Sequence, residues 1–199
     1  MGREIIETNY FTFHNLCDGI YAAIAKPGQG AWSKAGIIDL GEELLVFDSL
    51  NTPSAGEELR RQAESLTGKK IKYLINSHYH GDHVFGNQVF SDATIISTYV
   101  TEKLCKEKNK IEDYEKEKLD MNHYLLQLKS KIDSTEDIII KTSLINQYQE
   151  MSKVLDDLSK EKIAFMGDLV TKDLHVPIYD PEEFMNILKH PYQYNCSWS

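Results

Sequence analysis

The sequence predicts an α/β protein of one domain, and three observations carry that prediction. The first half of the chain is built of short β-type runs separated by turn residues. A long stretch free of glycine and proline follows, with apolar residues at helical spacing. One short apolar run between these halves delivers the chain to a cluster of histidines.

The elements read in order as follows. Tyr10 to Leu16 alternates apolar and polar residues, and Ile20 to Ala25 is a second extended run. The turn Lys26-Pro27-Gly28-Gln29-Gly30 comes next. Gly36 to Leu40 and Glu43 to Phe47 bracket Gly41 as a hairpin. Pro53 opens a helix over Ser54 to Leu66, and Gly68 closes it, because proline fits the first turn and glycine the left-handed cap. Ile71 to Ile75 is a short buried strand by composition, and Thr94 to Ile96 is another. Met121, Leu125, Leu128 and Ile132 then recur at helical spacing, as do Leu144, Tyr148, Met151, Leu155 and Leu158. These define a helical insert over about residues 98–160, with lysine and glutamate on the wet face. Ile163 to Met166 is a last strand ending in Gly167-Asp168, and Pro181 starts one more helix. The tail from Pro191 to Ser199 has no readable pattern, and there is neither an internal repeat nor a linker.

Composition narrows the function. The chain has 199 residues, 41% hydrophobic and 27% charged, enough for one real core. Its net charge of −9 argues against nucleic acid held by bulk electrostatics. Met1-Gly2-Arg3-Glu4 is followed by no apolar signal region, and no apolar run is long enough to span a bilayer. Cys17, Cys105 and Cys196 are odd in number and far apart, which reads as unpaired thiols in a reducing compartment. Cys17 reads as a small buried hydrophobe, and no histidine base neighbours Cys105. A cytoplasmic protein acting on a small molecule, with neither nucleic acid nor membrane as partner, is the expectation.

The chemistry lies in His78-Tyr79-His80-Gly81-Asp82-His83. In an extended segment His78 and His80 point the same way and face one metal ion together. Gly81 lets the chain turn, and Asp82 and His83 swing to the other side. Imidazole with carboxylate suits zinc, and also iron or manganese. The bland alternative is a solvated histidine-rich loop; the spacing, the aspartate and the preceding strand argue against it.

That segment resembles the His-x-His-x-Asp-His signature of the metallo-β-lactamase superfamily. Two further stretches match in order: Leu44-Leu45-Val46-Phe47-Asp48 resembles the strand-end aspartate, and Ile163-Ala164-Phe165-Met166-Gly167-Asp168-Leu169 resembles the later strand ending in Gly-Asp. The resemblance implies a four-layer αββα sandwich holding one or two zinc ions at one edge. It implies that His78 and His80 bind a first metal, that Asp82 and His83 bind a second, and that Asp168 bridges them. Asp48 would orient a ligand by hydrogen bonding, where the bland reading is a surface turn aspartate. A metal that lowers its water's pKa to about 7 supplies hydroxide for attack on an acyl-type substrate: a lactam, lactone or thioester. Asp82 would share the proton work.

The chain also departs from that pattern. The family has another metal histidine between the signature and Gly-Asp; only His123 stands there, in a helical pattern, and it reads as a surface residue. His175 follows Asp168 too soon for the family's late histidine, and His190 lacks its glycine context. The strands that would complete the second sheet are not visible. The chain therefore reads as lacking an internal segment and the usual C-terminal end, with an incomplete second sheet. Two functions follow: a metal-dependent hydrolase, or a catalytically impaired or non-catalytic metal-binding relative acting through partner contacts. Di-iron redox chemistry ranks last, because 199 residues leave no room for a flavin domain.

Overall fold

The computed structural model describes residues 5–109 and 113–160. Seven strands form one mixed sheet in sequence order: β1 (Ile5–Glu7), β2 (Phe11–Cys17), β3 (Ile20–Ala25), β4 (Lys34–Asp39), β5 (Leu44–Phe47), β6 (Ile71–Ile75) and β7 (Thr94–Ile96). β1 to β5 pair antiparallel through tight connections. β5, β6 and β7 are parallel, which requires the crossovers that follow β5 and β6. The α/β class expected from the sequence is the one observed. The second sheet of a sandwich is not among the described residues, and the expectations for residues 161–199, Asp168, His175 and His190 included, lie outside them.

The crossover after β5 is α1 (Pro53–Thr67), and its boundaries have local causes. Thr52 caps it with a side-chain oxygen that accepts from the Ala55 N–H, Pro53 occupies the first turn, and Gly68 at φ 71° ends it. Its Ala55, Leu59 and Ala63 bury against Phe11, Phe13, Ile37, Val46 and Leu74 on one face of the sheet. Cross-strand register places Lys34, Gly36 and Phe47 on the opposite face.

The crossover after β6 carries the histidine segment. It contains the four-residue helix α2 (Gly81–Val84) and a 3₁₀ turn at Asn87–Phe90. Gly81 has no positive φ; a Cβ there would lie 2.1 Å from the Phe85 ring, so glycine is needed for ring space rather than for a left-handed turn. Gly86 is needed for close approach, since a Cβ would lie 2.1 Å from the Ser49 carbonyl oxygen.

Three helices make up the insert: α3 (Tyr99–Lys108), α4 (Tyr114–Ser134) and α5 (Ile138–Ser159). α4 and α5 pack as a hairpin through Leu125, Leu128 and partners, with the Gln147 amide donating to Tyr124 Oη at 2.8 Å. The expectation that glutamate stays on the wet face fails at Glu150, which is buried, and Asp157 is buried as well. Glu150 accepts the Gly30 N–H at 2.7 Å, in a loop whose Gly28 and Gly30 also leave room for α5 side chains. Asp157 accepts the Ser54 N–H at 3.0 Å and the Ser54 hydroxyl at 2.8 Å, placing negative charge at the N-terminus of α1. Two buried carboxylates thus fasten α5 to the body of the fold.

The cysteines need a correction too. Cys105 is a free, buried thiol, and burial together with the Glu102 charge pushes its pKa up to about 11. Cys17 is half-buried at the end of β2 rather than a fully buried core residue. No helix among the described residues is long and apolar enough to cross a membrane.

The α5 fastening is testable. Burial raises the Glu150 carboxyl above its ordinary value, against the lowering effect of the loop N–H groups. The folded chain therefore holds this proton more tightly than the unfolded chain. Stability from this group falls as pH rises through the raised value. Glu150→Ala should cost about 1–3 kcal/mol in urea unfolding by leaving loop N–H groups unpaired. Glu150→Gln should keep the stability and lose the pH slope.

Candidate metal centre

The site begins where β5 ends. Asp48 is 3% exposed, and its carboxylate gathers three donors. Oδ1 accepts the Ser77 N–H at 2.8 Å, and Oδ2 accepts both the Ser77 hydroxyl and His83 Nδ1–H at 2.8 Å each. The surface-turn reading of Asp48 is thereby excluded.

These bonds fix proton positions beyond Asp48 itself. The Ser77 hydroxyl proton is committed to Asp48, so the 2.9 Å contact between Ser77 Oγ and His78 Nδ1 has His78 Nδ1–H as donor. His78 Nε2 is then an acceptor, and His80 Nδ1, 3.1 Å away, is its donor. His78 and His83 thus each carry a proton on Nδ1. The His78 ring centroid lies 4.7 Å from that of His80 and 4.1 Å from that of His83. Burial, then the neighbouring His83 and His80, hold the His78 pKa below its ordinary value, against opposing pulls from Asp48 and Asp82. That favours the neutral form a metal requires.

The fit to a metal rests on His83. Its Nδ1 bonds Asp48, and its Nε2 faces Asp82 Oδ2 at 3.2 Å. A ring with a carboxylate oxygen at each nitrogen is satisfied by a cation between Nε2 and Asp82, either a proton or a metal ion. Three imidazoles and a carboxylate are the donor set of zinc. Among the described residues, however, no group of three donors is already gathered as an ion requires: His78 and His80 bond each other instead. Asp168, the bridging residue implied by resemblance, lies outside the described residues. His123 is exposed on α4, as its helical context predicts.

Several supports of the segment carry no local sequence signal. The His83 carbonyl accepts the Ser49 N–H at 2.9 Å and the Asn76 amide at 3.3 Å. Asn76 and Asn87, both buried, bond each other through both amide groups, at 2.8 and 3.0 Å. The Ser33 hydroxyl donates to the Asp82 carbonyl, and the Asn109 amide beyond α3 donates to the Tyr79 carbonyl at 2.7 Å. Backbone strain collects in the same region. Trp32, Asp48 and Leu50 hold φ of 56°, 62° and 69°, conformations that cost about 1–3 kcal/mol each outside glycine.

Comparison with known proteins agrees with the signature. The family model of the metallo-beta-lactamase superfamily matches residues 33–183. Among solved structures, the chain is similar to a metallo beta lactamase from Erythrobacter litoralis, crystallised with beta mercaptoethanol in the active site. The two share 15% identity and a TM-score of 0.47, over 53% of this chain and 49% of that one. It is also similar to a metallo beta lactamase from Hirschia baltica, at 18% identity and a TM-score of 0.42, over 54% of this chain and 48% of that one. The chain thus spans about half the length of each. No curated protein matches.

The hydrogen bonds around Asp48 predict the behaviour of one substitution. Asp48→Asn tolerates the positive φ and keeps an acceptor for Ser77, but it removes the charge that holds His83 Nδ1–H. Zinc affinity, read by competition with a chromophoric chelator, should fall about 10–100-fold with little loss of thermal stability.

Proposed function

The chain belongs to the metallo-β-lactamase superfamily, and from that premise we propose that it is a metal-dependent hydrolase acting on an acyl-type small molecule, a lactam, lactone or thioester. The observation that carries the proposal is the arrangement around His83, whose two ring nitrogens face Asp48 and Asp82.

His78, His80, Asp82 and His83 would hold the metal, joined by Asp168 as the resemblance implies. Zinc suits this donor set, with iron or manganese as substitutes. When bound, the metal supplies hydroxide near neutral pH by lowering its water's pKa to about 7. The chain's own residues do the rest. Asp48 holds the Nδ1–H of His83 directly and that of His78 through Ser77, which leaves Nε2 of each ring as the atom that would turn to a metal. Asp82, 28% exposed at its side chain beside His83, would exchange a proton with a reacting group. The proposed compartment is the cytoplasm.

A second reading, a non-catalytic metal-binding relative acting through partner contacts, draws support from α5, where Ile138, Ile139 and Ile140 are 73%, 78% and 55% exposed.

Metal content separates the two. Elemental analysis of purified chain should find about one to two equivalents of zinc, iron or manganese, lost in His80→Ala at unchanged circular dichroism. A folded chain with near-zero metal would sink the hydrolase proposal and leave the partner-binding one.

A further inference from the structure

A cavity of about 420 Å³ lies between α5 and the loop that follows β3, and no residue of the histidine segment lines it. It shares Trp32 alone with the separate hollow beside Asp82 and His83. Its volume falls within the range of small-molecule sites, about 300–1,000 Å³. The two walls are held together by the protein itself. The Gly30 N–H donates to Glu150 at 2.7 Å, and the N–H groups of Gly28 and Gln29 bond the same carboxyl. Gly28 and Gly30 hold φ of 74° and 93°, and a Cβ on them would lie 2.3 Å from the Gln149 amide oxygen and 2.9 Å from the Lys153 Cβ. The loop thus runs against α5 as closely as only glycine allows. The cavity is formed before anything enters it, which spares a ligand the cost of ordering its walls.

The walls differ in chemistry. Ser143, Asn146, Gln147 and Glu150 stand at i, i+3, i+4 and i+7 along α5, so one helix face lines the cavity. The Gln147 amide N–H is spent on Tyr124 Oη, which leaves its carbonyl oxygen to accept. The side chains of Ser143 and Asn146 have no hydrogen-bond partner among the described residues. Both charged groups of the walls are already answered, Glu150 by the loop N–H groups and Lys26 by Glu7 at 2.6 Å. The loop wall is apolar at Pro27 and at Trp32, which is 43% exposed. Trp32 sits at the centre of a γ-turn, with φ of 56°, closed by the Ser33 N–H on the Ala31 carbonyl at 2.7 Å. This is the rare, strained form of that turn. The Asn51 N–H donates to the same carbonyl at 3.2 Å and helps to hold it. Strain of this kind persists where the surrounding structure over-determines it.

We propose that the cavity between α5 and the Lys26–Trp32 loop is a binding site for a neutral, polyhydroxylated ring, a pyranose sugar, separate from the metal centre. The apolar C–H face of such a ring covers the Trp32 indole, and its hydroxyls meet Ser143, Asn146 and the Gln147 carbonyl. Each sugar hydroxyl both donates and accepts, and so do the serine hydroxyl and the asparagine amide facing it. An anion entering the cavity would be desolvated against no free cation, at a cost that a neutral ring avoids. The site stands on its walls alone and does not depend on the hydrolase reading.

Calorimetric titration of the full chain tests this, with methyl β-D-glucopyranoside, whose equatorial hydroxyls leave the ring faces bare, against its anionic glucuronide and against adenosine. The glucoside should bind saturably and about ten-fold more tightly than either comparator. Trp32→Ala and Asn146→Ala should each weaken it about ten-fold. Asn146→Ala should do so at unchanged Tm, because that amide has no partner in the folded chain to lose. Binding should also survive His80→Ala and treatment with a chelator, since no histidine lines the cavity. Absence of saturable glucoside binding, or affinity unchanged in both variants, would overturn the site. Equal or tighter binding of the glucuronide or adenosine would overturn the ligand class. Loss of glucoside binding in His80→Ala would place the sugar at the metal centre instead and overturn the separate site.

Discussion

The Asp48 carboxylate is the constraint on which the site depends. It is buried at the end of a central strand, and a buried charge is stable only when fully hydrogen-bonded. Its three donors come from the segment after β6: the Ser77 N–H, the Ser77 hydroxyl and His83. Satisfying one charge therefore orders the backbone at Ser77, the hydroxyl rotor of Ser77 and two imidazole tautomers. The strained φ of Asp48 is part of the same arrangement, since it turns the side chain from the strand toward the neighbouring crossover. Parallel pairing of β5 with β6 brings these groups together, because it puts both strand ends at one edge of the sheet.

The rest of the fold holds that edge in place. Asn76 and Asn87 close the segment from below, Ser49 holds the His83 carbonyl, and Gly86 lets the following turn approach the Ser49 backbone. Each of these groups is polar or small because the crossover must run buried without leaving backbone groups unpaired. The helical insert contributes at a greater distance. Asn109 reaches the Tyr79 carbonyl, and Cys105 packs near Val84, Tyr79 and Phe85, so α3 forms part of the site's support. α5 acts on the loop that leads to Trp32, through Glu150 and the Gly28–Gly30 backbone. Strain at Trp32 and Asp48 is thus balanced by specific hydrogen bonds, and that at Leu50 by its full burial in the main apolar core.

Much of the fold was legible in the chain because its causes are local. Pro53 and Gly68 bound α1 by their own backbone preferences, and the apolar run Ile71–Ile75 is the strand that the composition indicates. The helices of the insert follow from residues such as Leu125, Leu128, Leu155 and Leu158 at helical spacing. Two features were misread. Glu150 looks like a wet-face acid in sequence, yet its partner Gly30 is more than a hundred positions away, as Ser54 is from Asp157. Gly81 looked like a hinge, and it is a space for the Phe85 ring.

By itself, the sequence determined the α/β class, the order of the elements and the segment that carries the family's histidine signature. Periodicity, capping and ligand spacing are properties of neighbours along the chain. Tertiary structure alone decided which carboxylates face the two nitrogens of His83, why Ser77, Asn76, Asn87 and Ser33 matter, and where Trp32 closes a strained turn. Those depend on groups meeting across strand ends and crossovers. The desolvation of one carboxylate, Asp48, and the closing of one γ-turn, at Trp32, have no counterpart in residue spacing.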